Sequence, residues 1–169
     1  MDSRCVAFVG QVDYASVIHL LQAGDKVLHV TYFRDGPIEK ACKTAVASYK
    51  RVTSLDGSET PTLTIIDEFH PESPAFMLAF LRARLDAGKR VICVHKRQWG
   101  LLDHIDGVAY VRFFGRFRSP IRVGFETQHV LTSLVLVEKG RQRILYTQKD
   151  GMAPVKVEYV DNMFLDDFH

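Results

Sequence analysis

Cysteine is scarce in this chain. Cys5, Cys42 and Cys93 are far apart and embedded in apolar or helical-looking segments. Such spacing excludes a dense disulfide framework and a paired-cysteine metal knuckle, and it fits a reducing compartment. Long hydrophobic runs are missing too: no stretch approaches the roughly 18 uninterrupted apolar residues of a membrane-crossing helix, so no membrane contact is expected. There is little excess charge of either sign. Lys and Arg number 22 against 20 Asp and Glu, a net charge of +2, which gives no general field for attracting nucleic acid. The opening "MDSRCVAFVG" has neither an apolar core with a small-residue cleavage site nor an arginine-rich presequence, so the expected location is cytoplasmic, or host cytoplasm or nucleus for a viral source. Internal repeats and low-complexity linkers are also lacking. What remains is an ordinary globular composition, 47% apolar and 25% charged, in a chain long enough to bury roughly two-thirds of its unfolded surface. A single domain over 1–169 is expected.

The apolar runs at 5–10, 26–33, 61–67 and 90–95 are short and do not alternate, which predicts parallel strands covered on both faces. Helical patterns fall between them at 14–23, 37–50 and 74–88, so strand and helix alternate and an α/β layered sheet follows. "Ala-Gly-Asp" at 23–25 and "Ala-Gly-Lys" at 87–89 each place a glycine where a helix would stop. Beyond residue 106 the texture changes. An Arg/Phe/Gly-rich stretch is followed by a hairpin expected to turn at Glu138 to Gly140 and by a last strand at 155–160.

Two local patterns carry chemistry. The first is strand, glycine, turn and helix over "FVGQVDYASVIHLL", the layout in which a helix N-terminus receives phosphate. The second is "TLTIIDEFH", a buried strand ending in the carboxylates Asp67 and Glu68, the arrangement by which phosphate-transfer enzymes hold magnesium and position a base. The bland alternative for the second is a strand end becoming solvated.

Taken in order, these landmarks resemble the thymidine kinase family of the short cellular and poxviral type across most of the chain. "FVGQVDYASVIHLL" aligns with the family's first strand, phosphate loop and helix, and "AGDKVLHV" with its second strand. "TSLDG" (53–57) resembles its short segment ahead of the acidic strand, and "IIDEFH" stands where the family has Ile-Asp-Glu-Gly/Ala-Gln. "AGKRVICV", "DGVAYVRFFG" and "VLTSLVL" look like the next strand, the lasso entrance and the strand after it. The resemblance implies a P-loop-NTPase-like, mostly parallel sheet flanked by helices, with an α/β core over 1–105 and a lasso-like, β-hairpin appendage over 106–169. It implies nucleotide-binding positions at Gly10, Ser16 and Asp67, a vestigial base at Glu68, and a homo-oligomer. The departures matter more. Ala15 replaces the second loop glycine, Ser16 the lysine and Val17 the magnesium-binding hydroxyl residue, while Asp13 and Tyr14 bring charge and bulk. This is a degenerate Walker A. His70 replaces the family's Gln, and its zinc cysteines fall on residues such as Val135 and Glu138, so neither ATP nor zinc is expected. An insertion, 95–105, precedes the lasso-like segment and contains His95 and His104.

No metal site is read from the seven scattered histidines. Tyr110, Arg112, Phe114, Arg116, Arg118 and Arg122 interleave aromatics with cations. The pattern suits a protein partner, a base-stacking nucleic-acid surface, or a plain strand with phenylalanines inward and arginines outward. The expectation is a pseudoenzyme without cofactor, acting as an interaction or assembly subunit. Two alternatives stay open: a nucleoside or nucleotide kinase using ATP and magnesium with Lys96, Arg97 or Arg112 in place of the loop lysine, and a nucleic-acid-binding protein built on 110–122.

Overall fold

A computed structural model describes residues 4–10, 14–97, 99–117, 132–139, 142–149 and 155–156. Their strands are β1 (Cys5–Gly10), β2 (Lys26–Val30), β3 (Ser48–Val52), β4 (Leu63–Asp67), β5 (Arg90–His95), β6 (Ala109–Phe117), β7 (Thr132–Lys139), β8 (Gln142–Lys149) and β9 (Val155–Lys156). The helices are α1 (Tyr14–Ile18), α2 (Pro37–Ala45) and α3 (Pro74–Asp86), with a 3-10 turn at Gly100–His104. The sheet order is β3-β2-β4-β5-β1-β6-β7-β8-β9. Its first six strands are all parallel, and the direction reverses between β6 and β7.

The non-alternating apolar runs have the expected cause. All five residues of β4 are buried, as are the last five of β5, because each face of the parallel sheet is covered. Cys5, Ala7, Ile66, Val91 and Cys93 point into one layer, closed by Met77, Phe80 and Leu81 of α3 and by Trp99 and Leu102. Val6, Phe8, Leu63, Ile65, Ile92 and Val94 point into the other, closed by Val17, Ile38 and Cys42 of α1 and α2. The chain runs toward the β3 edge through α1 and α2, then back toward β6 through α3, and right-handed crossovers in opposite directions put the helices on opposite faces. Neighbouring strands therefore send their connections to opposite faces at two places, β1/β5 and β2/β4. Crevices at such switch points, outside the carboxyl ends of the strands, are where open α/β sheets take ligands.

Three local expectations are corrected. The helix predicted over 37–50 ends at Ala45: Val46 is extended, its N–H still bonds Cys42 O, and Ser48–Val52 becomes a strand pairing in parallel with β2. Its alternating exposure is that of an edge strand, and "SYKRV" offered no run of core residues by which to recognise one. Helix α1 covers only five residues, continuing as turns through Leu20 N–H to Val17 O and Leu21 N–H to Ile18 O. Gly24 consequently caps nothing, whereas Gly88 does. It follows α3 at φ 77, with Gly88 N–H on Leu85 O and Lys89 N–H on Arg84 O, the double bond of a Schellman stop that only a left-handed residue permits. The hairpin runs one residue further than expected. Glu138 pairs with Arg143 and Lys139 with Gln142, so Glu138 lies inside the strand. No helix among the described residues is long and apolar enough to cross a membrane.

Candidate functional site

The acidic pair lands at the carboxyl edge of the sheet, at the β2/β4 switch point. Asp67 is the last residue of β4 and is 3% exposed. Glu68 turns out of the strand in the left-handed region, φ 46, an uncommon conformation for a residue with a Cβ. Two contacts hold it there: its N–H donates to Val94 O at 2.8 Å, and its carboxylate accepts the Lys96 N–H. Backbone and carboxylate of Glu68 are thereby tied to β5 and the residue that follows it.

Asp67 ends a polar chain that crosses three strands. His29 Nε2 lies 3.0 Å from Asp67 Oδ2, and His29 Nδ1 lies 2.8 Å from the Tyr49 hydroxyl. A carboxylate only accepts, so Nε2 carries the proton it shares with Asp67, and in the neutral ring Nδ1 then accepts from the Tyr49 O–H. Burial first, with Glu39 and the Cys42 thiol adding to it, holds the Tyr49 hydroxyl above its ordinary pKa, so it remains a donor. Sequence reasoning missed both partners. Tyr49 was assigned to a helix, but His29 left a signal in "KVLHV": an imidazole in a buried strand needs a partner for each nitrogen.

Tyr14, the first residue of α1, faces the same carboxylates. Its hydroxyl is pushed up to about 12 by burial, with the charges of Asp67 and Glu68 adding to the effect. Beside it a cavity of about 300 Å³ is lined by Tyr14, His29, Phe33, Ile38 and Asp67, with Arg34 and Glu39 also contributing. A second cavity, about 250 Å³, is lined by Tyr32, Phe69, Phe76 and Met77 with the hydroxyls of Thr53, Ser54 and Ser73. Tyr32 stacks on Phe69 there at 4.9 Å. Thr31–Arg34, leaving β2, thus puts one aromatic into each cavity.

Gly10 closes β1 at the same edge with φ 106, so Gly10, Asp67 and Glu68 share one edge of the sheet. Ser16 lies within α1, and its side chain is outside the description. Tyr110 is half-buried and packs against the α3 layer. The backbones of Arg112, Phe114 and Arg116 lie in β6, a strand paired on both sides, with Val9 opposite Arg112 on β1 and Leu136 opposite it on β7. Arg118 and Arg122 fall outside the described residues. No group of three metal-ligating side chains occurs among the described residues, and Cys5, Cys42 and Cys93 are buried and unbridged.

His95 requires a correction. It does not open the inserted segment: it is the buried last residue of β5, stacked on Trp99 at 4.7 Å, with Nε2 3.3 Å from Phe69 O. Burial lowers its pKa below 6.5, outweighing the bond to Phe69 O, which acts the other way. The folded protein therefore takes up this proton later than the unfolded chain does. Stability should be level above pH about 7 and fall as the pH drops through about 6.5, flattening once the folded value is passed. Thermal melts of wild type and His95→Phe across that window give the His95 share by difference; equal slopes would remove His95 as the cause.

A scan against protein-family models and a search of curated proteins each find no match for this chain.

Proposed function

We propose that the chain is a non-catalytic protein of thymidine-kinase-like, P-loop-type architecture, kept as an interaction or assembly subunit. The observation that carries this reading is the fate of the two acids. A phosphotransferase needs one carboxylate free for magnesium and another free for the acceptor hydroxyl. Here Asp67 Oδ2 is bonded to His29 and Glu68 Oε1 to the Lys96 backbone, so each acid is held in one orientation by the fold and keeps a single oxygen rather than a whole carboxylate for other work. The loop side agrees: no lysine stands at 16 to neutralise transferring phosphoryl charge, and the Tyr14 ring sits where the two carboxylates act on it. In this reading the buried parallel core is a rigid frame, and the arginine-aromatic segment from Tyr110 to Arg122 presents contacts to a protein partner, Arg and aromatics being the side chains most often energetic at interfaces.

The test is direct. Purified protein given ATP, magnesium and thymidine should form neither ADP nor thymidine phosphate above the protein-free control. Turnover that is present in wild type and absent in Glu68→Gln would replace this reading with the kinase one. Tight oligonucleotide binding near physiological salt, with the arginines of 112–122 contributing equally, would replace it with the nucleic-acid one.

A further inference from the structure

Asp67 has two carboxylate oxygens, and the polar chain uses one. Oδ2 takes the His29 bond, whereas Oδ1 is buried with no hydrogen-bond partner. A buried carboxyl oxygen left without a hydrogen-bond partner is costly, and native proteins seldom tolerate one unless water, an ion or a ligand completes it. This residue also forms part of the wall of the 300 Å³ cavity at the β2/β4 switch point. We propose that the cavity binds a small organic cation, a primary ammonium on a compact aromatic or apolar body, with the ammonium donating to Asp67 Oδ1.

Size, sign and wall chemistry each narrow the ligand. The volume lies at the lower end of small-molecule sites, enough for one ring and a short arm. The charge near the cavity is negative: Asp67 lines it, and Glu68, outside the lining, acts together with Asp67 on the Tyr14 hydroxyl. Glu39 adds a third carboxylate, and its Oε2 is already taken by the Asp35 N–H at 2.6 Å. That acid also stands in the first turn of α2, where it offsets the helix dipole that would otherwise favour an anion. Arg34 is the one cation among the described lining residues, and it disfavours a second positive charge on the ligand. Tyr14 and Phe33 supply rings, and Phe33 is 51% exposed, an unusual position for a phenylalanine with nothing to cover it. An ammonium held against such faces gains cation–π attraction as well as the carboxylate bond.

This inference is independent of whether the chain transfers phosphate, and its test shares no readout with the turnover assay. Three probes share one skeleton and differ in charge: tyramine (cation), tyrosol (neutral) and 4-hydroxyphenylacetate (anion). In calorimetric titration tyramine should bind saturably and about tenfold more tightly than tyrosol, the difference between a charged and a neutral donor on the same acceptor. The anion should give no saturable heat. Asp67→Asn should bring tyramine to the level of tyrosol. Should that variant fail to fold, Phe33→Ala, which removes an exposed ring, should still weaken tyramine by about threefold. Absence of saturable tyramine binding, equal binding of the three probes, or a ranking led by the carboxylate would overturn the proposal. The first of these would leave water as the partner of Oδ1.

Discussion

Replacing His29 with leucine should lower the free energy of unfolding by roughly 3–5 kcal/mol, the loss expected when one member of a buried pair is removed and the remaining charge stays in the interior. The size follows from geometry. His29 and Asp67 are each 3% exposed, and Oδ1 has no other partner to fall back on. In His29→Leu neither Asp67 oxygen keeps its protein donor, and the Tyr49 hydroxyl loses its acceptor at the same moment. Urea titration of the wild type, His29→Leu and His29→Leu/Asp67→Leu would measure this. The double variant should recover much of the loss, because a buried pair replaced on both sides by apolar groups is frequently near neutral. A single variant within about 1 kcal/mol of wild type would mean that the carboxylate is not held in the interior as described.

Asp25→Ala should cost slightly less, roughly 2–4 kcal/mol. Asp25 lies in the connection from α1 to β2, is 4% exposed, and gathers the amino-end edge of the sheet. Its carboxylate accepts from Gln22 N–H at 2.8 Å, from the Thr62 hydroxyl at 3.2 Å and from Arg90 Nη2 at 2.5 Å. Arg90 Nη1 in turn donates to Leu20 O at 2.7 Å. One side chain thus joins the turns that follow α1 to Thr62, just ahead of β4, and to the start of β5. The Arg90 side chain keeps 26% of its surface in water, and that screening holds the figure below the His29 value. Asp25→Asn retains acceptor capacity and should lose less than half as much. An alanine variant with an unchanged urea midpoint would show that the node is redundant.

How much of this was legible in the sequence depends on which force fixed each element. Buried parallel strands announced themselves, because "CVAFV", "LTII" and "VICV" are almost wholly apolar, as strands covered by helices on both faces tend to be. The stop at Gly88 was readable for a similar reason: a glycine at the end of a helical pattern has one common use. By contrast β3 is fixed by pairing with β2, a non-local interaction that leaves no local pattern in "SYKRV". The extent of α1 was misjudged because amphipathic spacing continues through turns that are not helix. Of the candidate site, the acidic pair was visible at a strand end, where the two carboxylates interrupt an apolar run. Its partners were not. Tyr49 and Tyr14 meet Asp67 only once β2, β3 and α1 are assembled around it, and no spacing in the chain encodes that meeting. His95 fell both at the end of the strand expected over 90–95 and at the start of the inserted segment, and the register of β5 decides for the strand, sending its ring toward Trp99 in the α3 layer.

The position of β1 has a consequence for how the protein is made. It precedes the other described strands in the chain, yet its two neighbours are β5, with Cys5 opposite Val91, and β6, with Val6 opposite Ala109. Every earlier strand pairs elsewhere: β2 with β3 and β4. During synthesis a fully apolar strand therefore waits, with both hydrogen-bonding edges open, until most of the parallel sheet has been translated. Closing such long loops is slow, and exposed strand edges are where nascent chains associate wrongly. Any piece of the chain that stops before Arg90 carries β1 with both edges unpaired, and β1 joins the sheet only after β2 to β5 have been translated, although it precedes them in the chain.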